Sequence, residues 1–324
     1  LKELTYLAAL TEAMKEEMER DDSVFLMGQG VQSGGSYKTA VGLWDRFGPE
    51  RVRDVPIAED SVVGCAVGAA LMGMKPILEI LYCDFTLRAM DQLANQAAKM
   101  RYMTGGQMHV PLVIRTTCGY GSGRGAHHSQ SLEATFAHFP GLKVALPSSP
   151  ADAKGLLKSA IRDPDPVIFI DHFLLFPTKG GIPEGEFTIP LGKGEIKREG
   201  RDVTLVAFSN MVWESLRAAQ ELAREGIEVE IVDPRTLVPL DILTIVRSVQ
   251  KTNRLIVVEA GCKRGGVGTE IIQAVMEEAF DYLDSPPVRL GVPNTSIPFA
   301  ASMEQAVIPN PAAVAKEIQR MVRK

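Results

Sequence analysis

Three features of the chain bring together residue types that do chemistry. The first is Glu59, which closes Val55-Pro56-Ile57-Ala58-Glu59 and leads straight into the apolar, glycine-dotted run from Ser61 to Leu71. Burial among such neighbours disfavours the charged form of a carboxyl and suits it to share a proton with a ligand at neutral pH. The competing reading is an acid at a helix start, favoured by the macrodipole and otherwise inert. The second feature is Ala126-His127-His128-Ser129-Gln130-Ser131, reached through the glycine-rich stretch Gly119 to Gly125. A histidine near its ordinary pKa can donate to a substrate oxyanion or carboxylate, while the plain alternative is a pair of solvated loop side chains. No Gly-x-Ser-x-Gly elbow follows a strand, so a hydrolase triad has no anchor. The third feature is a set of glycine clusters: Gly28-Gln29-Gly30, Gly119 to Gly125, and Gly265-Gly266-Val267-Gly268. They invite a nicotinamide-dependent oxidoreductase reading. None opens a helix with Gly-x-Gly-x-x-Gly spacing and an acid about 20 residues on, and turns needing positive φ suit the third cluster best.

The elements that must position these residues alternate. Short β-rich runs at Val24–Met27, Val52–Ile57, Pro76–Leu81, Leu112–Thr117, Lys143–Leu146 and Val167–Asp171 are interleaved with helical patterns at Thr5–Glu19, Phe85–Met103 and Pro150–Arg162. That alternation predicts an α/β fold with a doubly wound, mostly parallel sheet. In such sheets ligands bind beyond the carboxyl ends of the strands, which would put the Glu59 turn and the His128 loop on one rim. After Phe176 the Gly/Pro stretch Pro177 to Gly185 cannot sustain a helix or a central strand. The alternation resumes beyond Arg201, predicting a smaller second α/β domain. The expected division is 1–180, a linker over 181–200, and 201–324, in keeping with 324 residues at about 150 per domain.

Composition narrows the partners. The net charge is −5, with 45% apolar and 23% charged residues, so neither a basic field for nucleic acid nor a cationic face for a membrane is present. Cys65, Cys83, Cys118 and Cys262 lie too far apart for zinc or Cys-x-x-Cys spacing, which reads as a reducing compartment. The longest apolar run, Val62 to Met74, is too short to span a bilayer, and Leu1 to Asp22 lacks an apolar core of signal-peptide type. The expectation is a cytoplasmic protein, or a mitochondrial matrix one whose transit peptide has been removed.

In order along the chain, Val24-Phe25-Leu26-Met27-Gly28, Arg53-Asp54-Val55-Pro56-Ile57-Ala58-Glu59, Asp84-Phe85, Asp91-Gln92, Lys99 to Gly106, His128-Ser129-Gln130, Pro140 to Val144, Asp152 to Asp163, Glu230 to Leu237 and Pro298-Phe299-Ala300 resemble one family. It is the β subunit of the thiamin-diphosphate-dependent E1 component of 2-oxo acid dehydrogenase complexes, of the pyruvate, branched-chain or acetoin type. Nearly the whole chain is covered. The resemblance implies a transketolase-like pyrimidine-binding domain followed by a transketolase C-terminal domain. It implies that Glu59 bonds N1′ of the aminopyrimidine, that Phe85 packs on that ring, and that His128, with His127 a weaker candidate, handles substrate or the lipoyl group. Backbone oxygens at Leu112, Ala160, Ile161, Asp163 and Asp165 match a structural K⁺ site of some members, and hard oxygen ligands suit that ion.

The diphosphate end of the cofactor needs Mg²⁺, held in this superfamily through a Gly-Asp-Gly motif that the sequence lacks. The resemblance therefore implies an α subunit carrying the metal, an α2β2 heterotetramer, a small 2-oxo acid substrate, and a lipoyl-bearing E2 acyltransferase as acceptor. Members usually carry an acid where this chain has Gln29, which puts a proton path between paired sites in doubt. Half of a split transketolase, an acetoin-cleaving enzyme and a non-catalytic E2-docking subunit are the alternatives.

Overall fold

The computed structural model describes residues 1–121 and 123–323; Ser122, within the second glycine cluster, and Lys324 lie outside them. The chain forms two units, Leu1–Cys118 with Thr135–Leu191, and Gly119–Ala134 with the chain from Gly192 onward. This departs from the expected 1–180, 181–200 and 201–324 in two respects. The span 181–200 is divided at Leu191, and Gly119–Ala134 leaves the first unit because its contacts are made with residues of the second.

The first unit carries β1 (Lys2–Thr5), β2 (Val24–Gly28), β3 (Val52–Asp54), β4 (Lys75–Ile80), β5 (Val113–Cys118), β6 (Lys143–Ala145), β7 (Val167–His172) and β8 (Lys179–Ile182). Six of them run parallel in the order β6-β7-β5-β4-β2-β3. β2, β5 and β7 are buried along their whole length, which is why they read as continuous apolar runs rather than alternating ones. β2 pairs with β3 on one side and with β4 on the other. The winding therefore reverses between β2 and β4, the switch point at whose carboxyl ends open α/β sheets bind their ligands.

Local chemistry sets the helices that flank the sheet. Thr5 and Ser149 cap Tyr6–Arg20 and Pro150–Arg162 by accepting the Ala8 and Asp152 amides at 3.1 and 3.2 Å, with Pro150 opening the second helix. The two helices are cross-linked where Lys154 and Lys158 reach Glu16 at 2.7 and 2.6 Å.

Three local expectations are corrected. The strand predicted over Val52–Ile57 ends at Asp54, since Pro56 has no N–H to give a ladder. The predicted helix Phe85–Met103 is broken into a 3₁₀ segment at Cys83–Ala89, a π-helical stretch at Asp91–Ala97 and one turn at Met100–Met103. In the first of these the Thr86 hydroxyl donates to the Cys83 carbonyl at 2.6 Å, and such local side-chain bonds compete with α-helical pairing. Part of the Gly/Pro stretch after Phe176 forms β8, paired antiparallel with β1. A two-stranded ribbon tolerates glycine and flanking proline where a central strand would not.

The second unit carries β9 (Glu195–Arg198), β10 (Val203–Ala207), β11 (Val229–Asp233), the short β12 (Thr236–Val238), β13 (Leu255–Cys262) and β14 (Val288–Val292). Five form a sheet in the order β14-β13-β10-β11-β9, antiparallel only at β9. The helices Asn210–Ala223 and Pro311–Val322 pack on it, burying Met211, Leu222, Val314 and Ile318 in one core with Leu205 and Ile231. No helix among the described residues is long and apolar enough to cross a membrane.

Candidate active site

In the first unit the crevice at the carboxyl ends of β2, β3 and β4 collects two of the expected residues. Glu59 is the first residue of the helix Glu59–Leu71, whose cap Ala58 offers no side-chain acceptor. The acid thus complements the exposed N–H groups of the first turn. Its side chain is only 6% exposed, with Oε2 3.6 Å from Nε of Arg88, itself 75% exposed. The helix below is apolar, with Val62, Val63, Ala66, Val67 and Ala70 buried, so the carboxylate stands where a greasy helix meets the rim. The cation beside it, Arg88, was not revealed by the sequence.

Phe85 reaches the same rim from the segment after β4. The Glu59–Leu71 helix packs against that segment, and the Gln92 amide donates to Asp60 at 3.3 Å. Phe85 is half-buried, with its N–H donating to the Tyr82 carbonyl at 2.9 Å. Its ring lies 6.2 Å from that of Tyr82, which meets Tyr37 edge-on at 6.1 Å; Tyr37 in turn meets Phe176 at 5.2 Å, and Phe176 lies 6.0 Å from Tyr6. An aromatic chain thus runs from the rim into the core, at spacings where rings attract one another. On the third side of the crevice Asp54 accepts the Gly30 N–H at 2.6 Å, and Gly30 has φ +67°. The first glycine cluster is therefore a turn held by an acid, and it presents half-buried Gln29.

His128 belongs to the second unit. Gly119, Gly121, Gly123 and Gly125 all have positive φ, which glycine adopts without steric cost, and this coils the loop tightly. Glu304 accepts the Gly121 N–H at 2.8 Å, the Asn210 amide donates to the Tyr120 hydroxyl at 2.9 Å, and Phe299 lies where a Cβ on Gly125 would come within 3.6 Å of it. Beyond these anchors His127 is exposed and His128 half-buried, the His128 N–H reaching the Gly125 carbonyl at 3.4 Å. The anchoring residues were not legible as such. Phe299 stood out only as part of a motif, and nothing in the spacing tied Glu304 to a loop 183 residues earlier.

Leu112, Ala160, Ile161, Asp163 and Asp165 gather at the amino ends of β5 and β7, where Val113 pairs with Val167. This is the end of the sheet opposite to Glu59. The Leu112 carbonyl accepts the Val167 N–H at 2.9 Å and the Ala160 carbonyl the Asp163 N–H at 3.2 Å. The Asp163 carboxylate takes the Lys143 ammonium at 2.6 and 2.7 Å, and Asp165 accepts from Arg101 at 2.8 and 2.7 Å and pairs with Lys143 at 3.4 Å.

With that geometry in place, comparison with known proteins is decisive. Residues 2–177 match the model of the transketolase pyrimidine-binding domain, and residues 192–314 that of the transketolase C-terminal domain. Pyruvate dehydrogenase E1 component subunit beta-2, mitochondrial, of Oryza sativa subsp. japonica is 46% identical over 324 residues, covering 98% of this chain and 86% of that one. The pyruvate dehydrogenase E1 component subunit beta of Rickettsia felis is 44% identical over 320 residues, with 98% of each chain covered. This chain belongs to the E1 β-subunit family. A solved structure described as a split-gene transketolase, inactive beta4 tetramer, superposes with TM-score 0.79 over 99% of this chain and 98% of that one at 22% identity, which shows the shared fold.

For an E1 β subunit the first-unit crevice can be tested against the pyrimidine half of thiamin diphosphate. Such a ring needs an acid at one nitrogen and an apolar face; Glu59 and Phe85 supply one each, so these residues fit it. The metal-bound half finds no comparable set, since among the described residues no group of three or more His, Cys, Asp or Glu side chains is placed to hold a metal ion.

Proposed function

We propose that the chain is the β subunit of an enzyme that oxidatively decarboxylates a small 2-oxo acid, pyruvate first, with thiamin diphosphate as cofactor and a lipoyl-bearing E2 as acyl acceptor. An α subunit completes it, bringing the site for Mg²⁺ and the diphosphate, in an α2β2 assembly. The observation that carries this reading is the nearly buried Glu59 carboxyl at the switch-point crevice, beside the segment that presents Phe85.

Thiamin diphosphate supplies an electron sink for breaking the bond between the oxo and carboxyl carbons. The protein's part is to hold protons and rings in place. Glu59 holds a proton against N1′ of the aminopyrimidine, and the apolar helix behind it keeps water from competing for that proton. Phe85 gives the ring a flat apolar face, stiffened by Tyr82 and Tyr37 behind it. His128 donates to the substrate's oxygen or to the lipoyl sulfur. The backbone oxygens at Leu112, Ala160, Ile161, Asp163 and Asp165 are proposed as a K⁺ site that braces the distal end of the same sheet; their convergence on one corner supports it.

The test is Glu59→Gln in the reconstituted αβ enzyme. The amide keeps the size and hydrogen-bonding capacity of the acid but cannot share its proton. Exchange of the thiazolium C2 proton should slow by at least about 10²-fold, since a positioned acid or base is worth roughly 10²- to 10⁴-fold. Fold and αβ assembly should be unchanged. Exchange at the wild-type rate would leave Glu59 a helix-start acid and remove the mechanism.

A further inference from the structure

The stretch that delivers His128 carries glycine at 119, 121, 123 and 125, all with positive φ. Glycine loses more conformational freedom on ordering than any other residue, so such a stretch cannot hold a histidine at a fixed point by itself. Two residues near the end of the chain supply the hold. Glu304, in the helix Ala301–Val307, is 4% exposed and accepts the Gly121 N–H at 2.8 Å. A backbone N–H given to a buried carboxylate is a stronger tie than one given to a carbonyl.

Phe299, five residues earlier, acts on the other side of the turn. A Cβ on Gly125 would stand 3.6 Å from Cβ and Cδ2 of Phe299, and one on Gly123 would stand 3.4 Å from the Phe299 carbonyl oxygen. The bare backbone of both glycines therefore lies against Phe299, where any side chain would push it away. From there the hold passes to the histidine, because the Gly125 carbonyl accepts the His128 N–H at 3.4 Å.

We propose that Glu304 is a positioning residue for His128, and that Glu304 and Phe299 form a clamp that turns a glycine-rich loop into a fixed support. The part concerning catalysis rests on the function proposed above for His128; the clamp itself does not. The two residues have separate tasks. Without Glu304 the Gly121 N–H is released and the loop pivots on Phe299; without Phe299 the 123–128 backbone lifts while Gly121 stays tied. A Glu304 that merely stabilised the second unit would instead damage every step alike, and its loss would add to the loss of His128.

Hydrogen exchange in the full-length chain reads the clamp, and turnover of the reconstituted αβ enzyme reads the positioning. In Glu304→Ala the Gly121 amide should exchange at least about tenfold faster, the worth of a hydrogen bond to a charged group. Glu304→Gln keeps an acceptor oxygen and should stay within about threefold of the unmodified protein in exchange and turnover. Phe299→Ala removes no buried polar group and is the second variant; it should loosen the 123–128 amides while Gly121 keeps its protection.

In the enzyme, Glu304→Ala should lower kcat for decarboxylation or acyl transfer about ten- to a hundredfold, as for a reacting group displaced by about an ångström. Exchange of the thiazolium C2 proton, the step assigned to Glu59, should keep its rate. In a His128→Ala background either Glu304→Ala or Phe299→Ala should cost less than about twofold further, since residues that act through one group do not add. Four results would overturn the proposal: unchanged Gly121 exchange in Glu304→Ala, a Glu304→Gln variant as loose as Glu304→Ala, kcat untouched by Glu304→Ala where His128→Ala lowers it, or a full further loss in the His128→Ala background. A clamp present by exchange, with turnover indifferent to His128→Ala, would reject the proposed role of that histidine and leave the clamp standing.

Discussion

Glu59 and His128 reach their positions by different physical routes. The glutamate is placed by a helix start against an apolar helix, a local arrangement written in consecutive residues from Ala58 to Leu71. The histidine is placed by a loop whose anchors, Asn210, Phe299 and Glu304, come from far along the chain. Its role is tested by His128→Ala in the reconstituted enzyme. Decarboxylation or acyl transfer to the lipoyl group should drop by about 10²-fold or more, the usual worth of a positioned proton donor. Affinity for thiamin diphosphate, measured by calorimetry on the same preparation, should change less than about threefold. Unaltered steady-state and lipoyl-transfer rates would return His128 to an ordinary loop residue. The anchors explain why the loop was read correctly as glycine-rich and histidine-bearing while its attachment was not. Hydrogen bonds across so many residues leave no pattern in a linear sequence.

Among the elements, the first-unit sheet is tied together by charge as well as by its ladders. Arg115 on β5 is 1% exposed; it pairs with Glu79 on β4, donates to Asp171 on β7 at 2.7 Å, and donates to the Thr39 hydroxyl at 2.7 Å. Tyr6 donates to the other Asp171 oxygen at 2.7 Å. Burial, the nearby Asp171 charge and that hydrogen bond push the Tyr6 phenol well above its ordinary value. Arg115→Met keeps much of the volume and removes the cation, leaving Glu79 and Asp171 buried without compensation. Denaturant unfolding should show a loss of about 3–5 kcal/mol, as for other buried pairs broken from one side. A loss below about 1 kcal/mol would mean that water or rearrangement replaces the guanidinium. Elements carrying strong apolar periodicity or continuous apolar runs were legible: β2, β4, β5, β7 and the capped helix Pro150–Arg162. Weakly patterned ones were not. β9 reads Glu-Ile-Lys-Arg and lies at a sheet edge, where charge is favoured over apolar alternation. β14 contains Gly291 and stays partly exposed.

For the whole molecule, large apolar side chains left open near the first-unit crevice bear on the proposed α subunit. Ile57 is 78% exposed and Leu87 45% exposed, one two residues before Glu59 and the other next to Arg88 in the chain. Apolar exposure around a polar site is what a partner surface covers. Isothermal calorimetry on the isolated chain should therefore show weak binding of thiamin diphosphate, with tight, Mg²⁺-dependent binding gained only on adding the α subunit. Tight metal-dependent binding by this chain alone would defeat the two-chain site. The sequence by itself determined the α/β class, most strands of the first unit, and Glu59 as the acid at a helix start. Each of these follows from near neighbours in the chain, through apolar runs, caps and turn residues. Tertiary structure alone decided that residues 119–134 group with the second unit, that the helix after β4 breaks, and that Glu133 lies against the bare backbone of Gly261. Those outcomes depend on which distant surfaces fit together and on which buried polar atoms find partners, and neither is encoded at any fixed spacing along the chain.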